Sequence, residues 1–503
     1  MTSSLITRSV AKYHTNIDET NISGSLIDVV GKRVFVGRQQ DLGRLRRHLD
    51  AVVNDGVGRL LSVRGRRQAG KSRLVTEFAD RSGLPQLFFT ASRLASLQEE
   101  LAQLAQEARR STLPGAQLFD GITLDNWHAA LRQVASALPA GPAIVVFDEF
   151  PWLTEASPSL EGALQAAWDR VFESMPVLMI LIGSDLAMME ALTSYGRPLF
   201  GRAKEFVVDP FTVADTAAMI GVDDCSVAVD AQLVTGGYPR LCLEWRGAPD
   251  VMSFLRGQLT DENSDLVAIG RTVLAAEFPS EIQARHVLGA IGAGERTNKA
   301  ISTRAGLQAA PLARSLHLLR EAKRVVAADL PVSTRPAREP RYRVADSYLR
   351  FWLRFIEPAL ADISRGRCDL ALARMRDSWL DYRGRAVEPL VRASLERLSS
   401  SDPRLAATAV IGGYWTRNGS VEVDLVGVDQ WPGATRVSMV GSIKWRDRSP
   451  FDQRDLSDLA AHRAEVPGGH DATLIAVSRS GCTAHDLTAV YGPEDLVSAW
   501  SER

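Results

Sequence analysis

The chain has 503 residues, 45% hydrophobic and 24% charged, with a net charge of −1. That length implies three or four domains, and that hydrophobic fraction is enough to give them cores. The balanced charge excludes the global basic footprint of a nucleic-acid binder while leaving room for a local basic face.

Cys225, Cys242, Cys368 and Cys482 are widely scattered. They lack zinc-site spacing and read as thiols of a reducing compartment. No apolar run reaches the ~18 residues of a membrane span. The N-terminus lacks the cationic start and apolar core of a secretory signal, so a cytoplasmic location is expected.

Residues 1–31 are polar and aperiodic and read as a poorly ordered arm. Arg59–Arg64 is a short apolar strand running into a Gly-rich turn and then an amphipathic helix from about Ser72. Further strands are expected at Leu87–Thr90, Ala143–Phe147, Val177–Ile182 and Phe206–Val208, with helical patterns between them. Near-continuous apolar strands alternating with helices imply an α/β core with a parallel sheet buried on both faces. A helical lid is expected over 212–265, interrupted by Gly236-Gly237-Tyr238-Pro239. Helices and then an Arg- and Pro-rich hairpin over 266–346 look like a winged helix. A helical connector follows over 347–384. Within it Tyr348, Phe351, Trp352 and Phe355 stand at helical spacing and read as glue between domains. Over 385–503, a helix near 386–398 precedes strands at Ala407–Ile411, Val421–Val428, Val437–Trp445 and Ala472–Val477, a second α/β domain.

Gly65-Arg66-Arg67-Gln68-Ala69-Gly70-Lys71-Ser72 fits the phosphate-binding pattern G-x-x-x-x-G-K-S in full, with Arg73 directly after it. Glycines let successive backbone N–H groups face phosphates, and the following helix offers its positive end. In this reading Lys71 reaches the outer phosphates of ATP, and Ser72 ligates Mg²⁺. The apolar strand Ile144–Phe147 ends in Asp148-Glu149. Asp148 is the second expected Mg²⁺ ligand, and Glu149 the group that orients the attacking water. Ser184, just past the strand Val177–Ile182, is expected beside the terminal phosphate. Arg202, with Arg197 as its competitor, is the candidate arginine finger for a neighbouring subunit of a homo-oligomer.

Phe35-Val36-Gly37-Arg38, Asp148 to Leu153, Gly183-Ser184 and Gly236 to Pro239 together resemble the archaeal-type P-loop ATPases of the AAA+ and STAND-related group. The likeness spans residues 33 to about 360. It implies nucleotide contact by Val36, Gly37 and Pro239, and a P-loop NTPase core over 32–211. Gln39 stands where that family usually has an acidic residue.

The same family often carries a C-terminal domain resembling the PD-(D/E)xK, restriction-endonuclease-like fold. Tyr342 to Asp346 through Phe351-Trp352 is similar to the segment leading into it. Alternation puts Glu422 and Asp424 on one strand face, and Ser442 and Lys444 on one face of the next. Glu388 lies on the helix before them. A nuclease of this kind needs two carboxylates holding Mg²⁺ and a nearby lysine. Ser442 takes the place of the second acid, so a degenerate binding or scaffold domain is expected.

Arg314, Arg320, Lys323, Arg324, Arg335, Arg338, Arg341 and Arg343 form a candidate double-stranded DNA grip on the winged-helix segment. Three functions are therefore open. One is an ATPase moving its C-terminal parts on DNA. Another is a slow STAND-like switch acting on a protein partner. The third is an ATP-dependent nuclease.

Overall fold

The computed structural model describes residues 35–278, 280–336 and 338–501. The expected arm over 1–31 lies outside them. The chain divides into a unit ending at Val36, of which only Phe35 and Val36 are described, and a compact unit from Gly37 onward.

In the larger unit a parallel sheet has the order β2-β3-β4-β1-β5. Its strands are β1 (Arg59–Arg64), β2 (Gln86–Thr90), β3 (Ala143–Asp148), β4 (Val177–Gly183) and β5 (Ala203–Val207). Every residue of β3 and β4 is buried, and up to the terminal Asp148 and Gly183 all are apolar, the pattern of a sheet covered on both faces. β4 therefore lies between β1, which feeds the phosphate loop, and β3, which ends in Asp148. The fifth strand starts at Ala203 and not at the expected Phe206. Pairing with β1 begins at Leu60↔Ala203, and Lys204 and Glu205 sit on an exposed edge that sequence pattern does not mark as strand.

Four helices between Val213 and Leu259 occupy the expected lid region. The helices Asp265–Glu277, Ile282–Gly292, Asn298–Ala305 and Ala309–His317 follow. An antiparallel pair, β6 (Val326–Asp329) and β7 (Arg341–Val344), completes that stretch. The aromatic run is buried: Tyr348 and Trp352 donate to the carbonyls of Leu266 and Val267 at 2.8 and 3.1 Å. It shares one apolar core with the lid helices and the helices after them.

The second sheet has the order β12-β11-β10-β9-β8. Its members are β8 (Val410–Trp415), β9 (Glu422–Val428), β10 (Val437–Lys444), β11 (Thr473–Ser478) and β12 (Ala489–Tyr491). β8 begins three residues later than expected. Asp402 caps a short turn at Pro403–Leu405, and ladder pairing resumes only at the Ala409 N–H bond to Val428. β12 and the helix Pro493–Ser498 carry too short a pattern to be read from sequence. This sheet is not a free appendage. Val213, Ala228, Val229 and Leu233, in the region expected to form a lid, share a core with Val391, Leu425, Ile475 and Leu496.

Candidate nucleotide site

The phosphate loop joins β1 to the helix Lys71–Ser82. Two glycines have physical reasons to be glycine. A Cβ on Gly65 would fall 2.2 Å from the Val208 carbonyl oxygen, and Gly70 has φ +87° with the Pro239 ring 3.4 Å from its missing Cβ. Pro239 thus packs against the loop. Gly37 approaches Asp215 so closely that a Cβ would lie 2.5 Å from its Oδ1. Val36 falls in the short N-terminal unit.

Lys71 is buried, and its Nζ donates to the carbonyls of Gly65 and Arg66 at 2.9 and 3.0 Å. Burial pushes its ammonium down to about 8, against the pull of Glu149 and Asp148. The Ser72 hydroxyl is within hydrogen-bonding reach of Asp148, whose pKa burial raises above the usual carboxylate range. Asp148 also accepts the Glu149 N–H at 2.9 Å.

Glu149 has φ +53°, a left-handed conformation rare for a side chain of its kind. β3 passes into the helix Phe150–Ala156 with only this residue between them, so the turn forces it. The Ser184 hydroxyl donates to Glu149 Oε2 at 3.2 Å. Burial, then the Asp148 charge, raises the Glu149 pKa, and the Ser184 bond opposes the shift. The sequence leads one to expect Ser184 beside the terminal phosphate; in the structure its hydroxyl holds Glu149.

A cleft of about 280 Å³ is lined by Arg67, Gln68, Gly70, Lys71, Ser72 and Arg73, with Glu149 and Ser184 opposite. Its remaining wall is Thr272 and Val273 of the helix Asp265–Glu277, which sequence reasoning missed. Nothing in a solvent-facing threonine marks such a role. Arg38 was also missed, although it lies in the Phe-Val-Gly-Arg segment. It is buried, sits at φ +64° and donates to the Ala69 carbonyl of the loop at 2.5 Å.

These residues fit a nucleotide with Mg²⁺. The loop amides and Lys71 form a cationic cradle at a helix N-terminus, and Ser72 and Asp148 are hard oxygen donors side by side.

Arg202 lies outside this cleft and pairs bidentately with Asp169 at 2.6 and 2.7 Å. Arg197 pairs with the buried carboxylate of Glu161. Neither reaches the phosphate loop of its own chain, and each is tethered within it.

The structure does not assemble the second candidate site as a metal centre. Glu422 is taken by Arg296, at 3.2 Å, and by Arg341. Lys444 pairs with Asp455 at 3.4 Å, and Glu388 with Arg392 at 3.0 Å. Asp424 accepts from the Ser442 hydroxyl at 3.1 Å and from the Ile443 N–H at 2.8 Å. Among the described residues no group of three His, Cys, Asp or Glu is placed to hold a metal.

The basic grip is also partly spent. Arg341 and Arg343 pair with Glu422 and Asp329, and Arg324 with Glu190 of the ATPase core. The hairpin between β6 and β7 lies on the second sheet through the Val332 N–H bond to Gly413 at 2.8 Å. Arg314, Arg320, Arg335 and Arg338 remain exposed.

The phosphate loop, its acidic partner strand and the parallel sheet together define a P-loop ATPase core. Residues 34–180 match the family model of the AAA ATPase domain, so the chain carries such a domain. Residues 352–456 match a family described as archaeal and bacterial proteins of unknown function. An uncharacterized protein of Methanocaldococcus jannaschii is 21% identical over 449 residues, 87% of this chain and 93% of that protein. Among solved structures, the Walker-type ATPase of Pyrococcus abyssi is 20% identical, with a TM-score of 0.47 over 66% of this chain and all of that one. The ORC2 protein of Aeropyrum pernix, solved in ADPNP–ADP complexes, is 13% identical, with a TM-score of 0.43 over 66% and 95%. No helix among the described residues is long and apolar enough to cross a membrane.

Proposed function

We propose that the protein binds ATP with Mg²⁺ and hydrolyses it at the cleft of Lys71. The carrying observation is the convergence of Lys71, Ser72, Asp148, Glu149 and Ser184 at the C-terminal ends of β1, β3 and β4. Lys71 exchanges its two loop carbonyls for phosphate oxygens. Ser72 and Asp148 hold the Mg²⁺, which when bound neutralises phosphate charge. Glu149, held by Ser184, orients the attacking water. Arg67, Gln68, Ala69 and Arg73 frame the phosphates, with Gly37 and Pro239 on the nucleoside side.

Nucleotide state is passed on through Arg66. Its guanidinium donates to the Arg324 carbonyl at 2.6 Å and stands 3.7 Å from the buried Asp346 carboxylate. Both partners flank the β6–β7 hairpin, which touches the second sheet. The output is motion of these parts, with Arg314, Arg320, Arg335 and Arg338 as the surface offered to double-stranded DNA.

A slow STAND-like switch with a protein partner is the second reading. It is favoured by the tethering of Arg202 and Arg197 within their own chain, which leaves the isolated site without a finger. Steady-state ATP hydrolysis with Mg²⁺, measured across protein concentration with and without duplex DNA, separates the two. Turnover that rises with either supports the motor. Flat, slow turnover with retained ATP binding supports the switch. Absence of both binding and turnover overturns the proposal.

A further inference from the structure

A second cavity, of about 230 Å³, lies between β7, the helix Cys368–Ala386 and the start of the helix Glu388–Leu398. Seven arginines line it against four carboxylates. The excess is not cancelled by pairing. Arg392 pairs with Glu388 and Arg343 with Asp329, while Arg296 and Arg341 share Glu422. Among the described residues, Arg350, Arg354 and Arg385 have no carboxylate within 4.0 Å. Arg350 donates to the Arg385 carbonyl and Arg354 to that of Ala293, at 3.1 and 3.2 Å.

Arg350 is half-buried, and a cation left unpaired there is costly unless an anion completes it, while Arg354 and Arg385 stand exposed at the same cavity. Burial lowers the Arg350 guanidinium below its usual range, consistent with a missing counter-charge. Planar guanidinium forks match phosphate oxygens bidentately. The volume is below the roughly 300–1,000 Å³ of sites for drug-sized ligands, which suits one or two phosphate groups and excludes a duplex.

We propose that this cavity is a binding site for a phosphate-bearing anion, held by Arg350, Arg354 and Arg385 and separate from the nucleotide cleft. The anion bridges the hairpin side and the C-terminal helices, and so fixes their mutual position. Its source is either a free small polyphosphate or a backbone phosphate of single-stranded nucleic acid.

The test is calorimetric titration of the full-length protein, saturated with ADP to fill the nucleotide cleft, with inorganic pyrophosphate. Saturable one-to-one binding is expected, weakened at least tenfold in Arg354→Ala/Arg385→Ala. Should the double variant fail to fold, Arg385→Glu alone, at an exposed and unpaired position, gives the same reading. No saturable binding to the wild type, or unchanged affinity in the folded arginine variants, overturns the proposal. A second arm adds a short single-stranded oligodeoxynucleotide. Displacement of pyrophosphate supports the site with a nucleic-acid source; failure to displace it supports the site with a free polyphosphate.

Discussion

The Tyr238 hydroxyl donates to Asp346 Oδ2 at 2.7 Å, across 108 residues of sequence, within a fully enclosed contact. Tyr238 belongs to the Gly-Gly-Tyr-Pro segment whose proline packs on the phosphate loop, and Asp346 caps the aromatic helix through the Leu349 N–H at 2.8 Å. With Arg66 at 3.7 Å, one carboxylate meets the loop, the lid and the connector. Removing the hydroxyl leaves that carboxylate short of a partner in a buried place. Tyr238→Phe is expected to lower stability by about 1–3 kcal/mol, read as a shift in the urea midpoint at constant slope.

Hydrolysis should separate from binding at the Glu149–Ser184 pair. Glu149→Gln is expected to keep ATP affinity and slow turnover by roughly 10²–10⁴-fold. Ser184→Ala removes one hydrogen bond to Glu149, so turnover should fall by about 2–10-fold with affinity unchanged. Single-turnover kinetics alongside equilibrium binding checks both. A Glu149→Gln protein that turns over at the wild-type rate removes Glu149 from its role.

Lys71 gives nucleotide binding a pH dependence. In the free protein its ammonium is pushed down to about 8, and bound phosphates raise it again. Below pH 8 the lysine is charged in both states, and binding exchanges no proton there. Above pH 8 the free protein has lost the proton and binding must take one up, so affinity falls as pH rises. Calorimetry at pH 7 and pH 8.8, in two buffers of different ionisation enthalpy, should detect proton uptake only at the higher pH.

Arg202 and Arg197 are told apart by what each is tied to. The Arg202–Asp169 pair is on the surface and worth about 0–1 kcal/mol, so it is readily exchanged for a neighbour's phosphate. Glu161 is buried, so freeing Arg197 strands a buried carboxylate. Arg202→Ala should therefore abolish any concentration-dependent rise in turnover, a loss of roughly 10³–10⁵-fold for a true finger, with stability nearly unchanged. Arg197→Ala should mainly lower the melting temperature.

The sequence alone determined the local frame of the candidate site. A phosphate loop is a local object: its glycines, lysine and serine are consecutive and its helix follows directly, so spacing carries the geometry. The strand ending in Asp148-Glu149 was equally legible, because a buried parallel strand is a continuous apolar run. What depends on long-range packing was not legible. Thr272 closes the cleft from 200 residues beyond the loop, and Ser184 meets Glu149 only because β4 lies beside β3. The carboxylates of the second sheet show the limit most clearly. Alternation placed Glu422 and Asp424 on one face, but the partners that occupy them come from elsewhere. Arg296 and Arg341 take Glu422, and Ser442 holds Asp424. Whether an acid is free for a metal depends on which cations the tertiary fold brings to it, because the strong distance dependence of charge pairing rewards neighbours in space, whatever their separation in sequence.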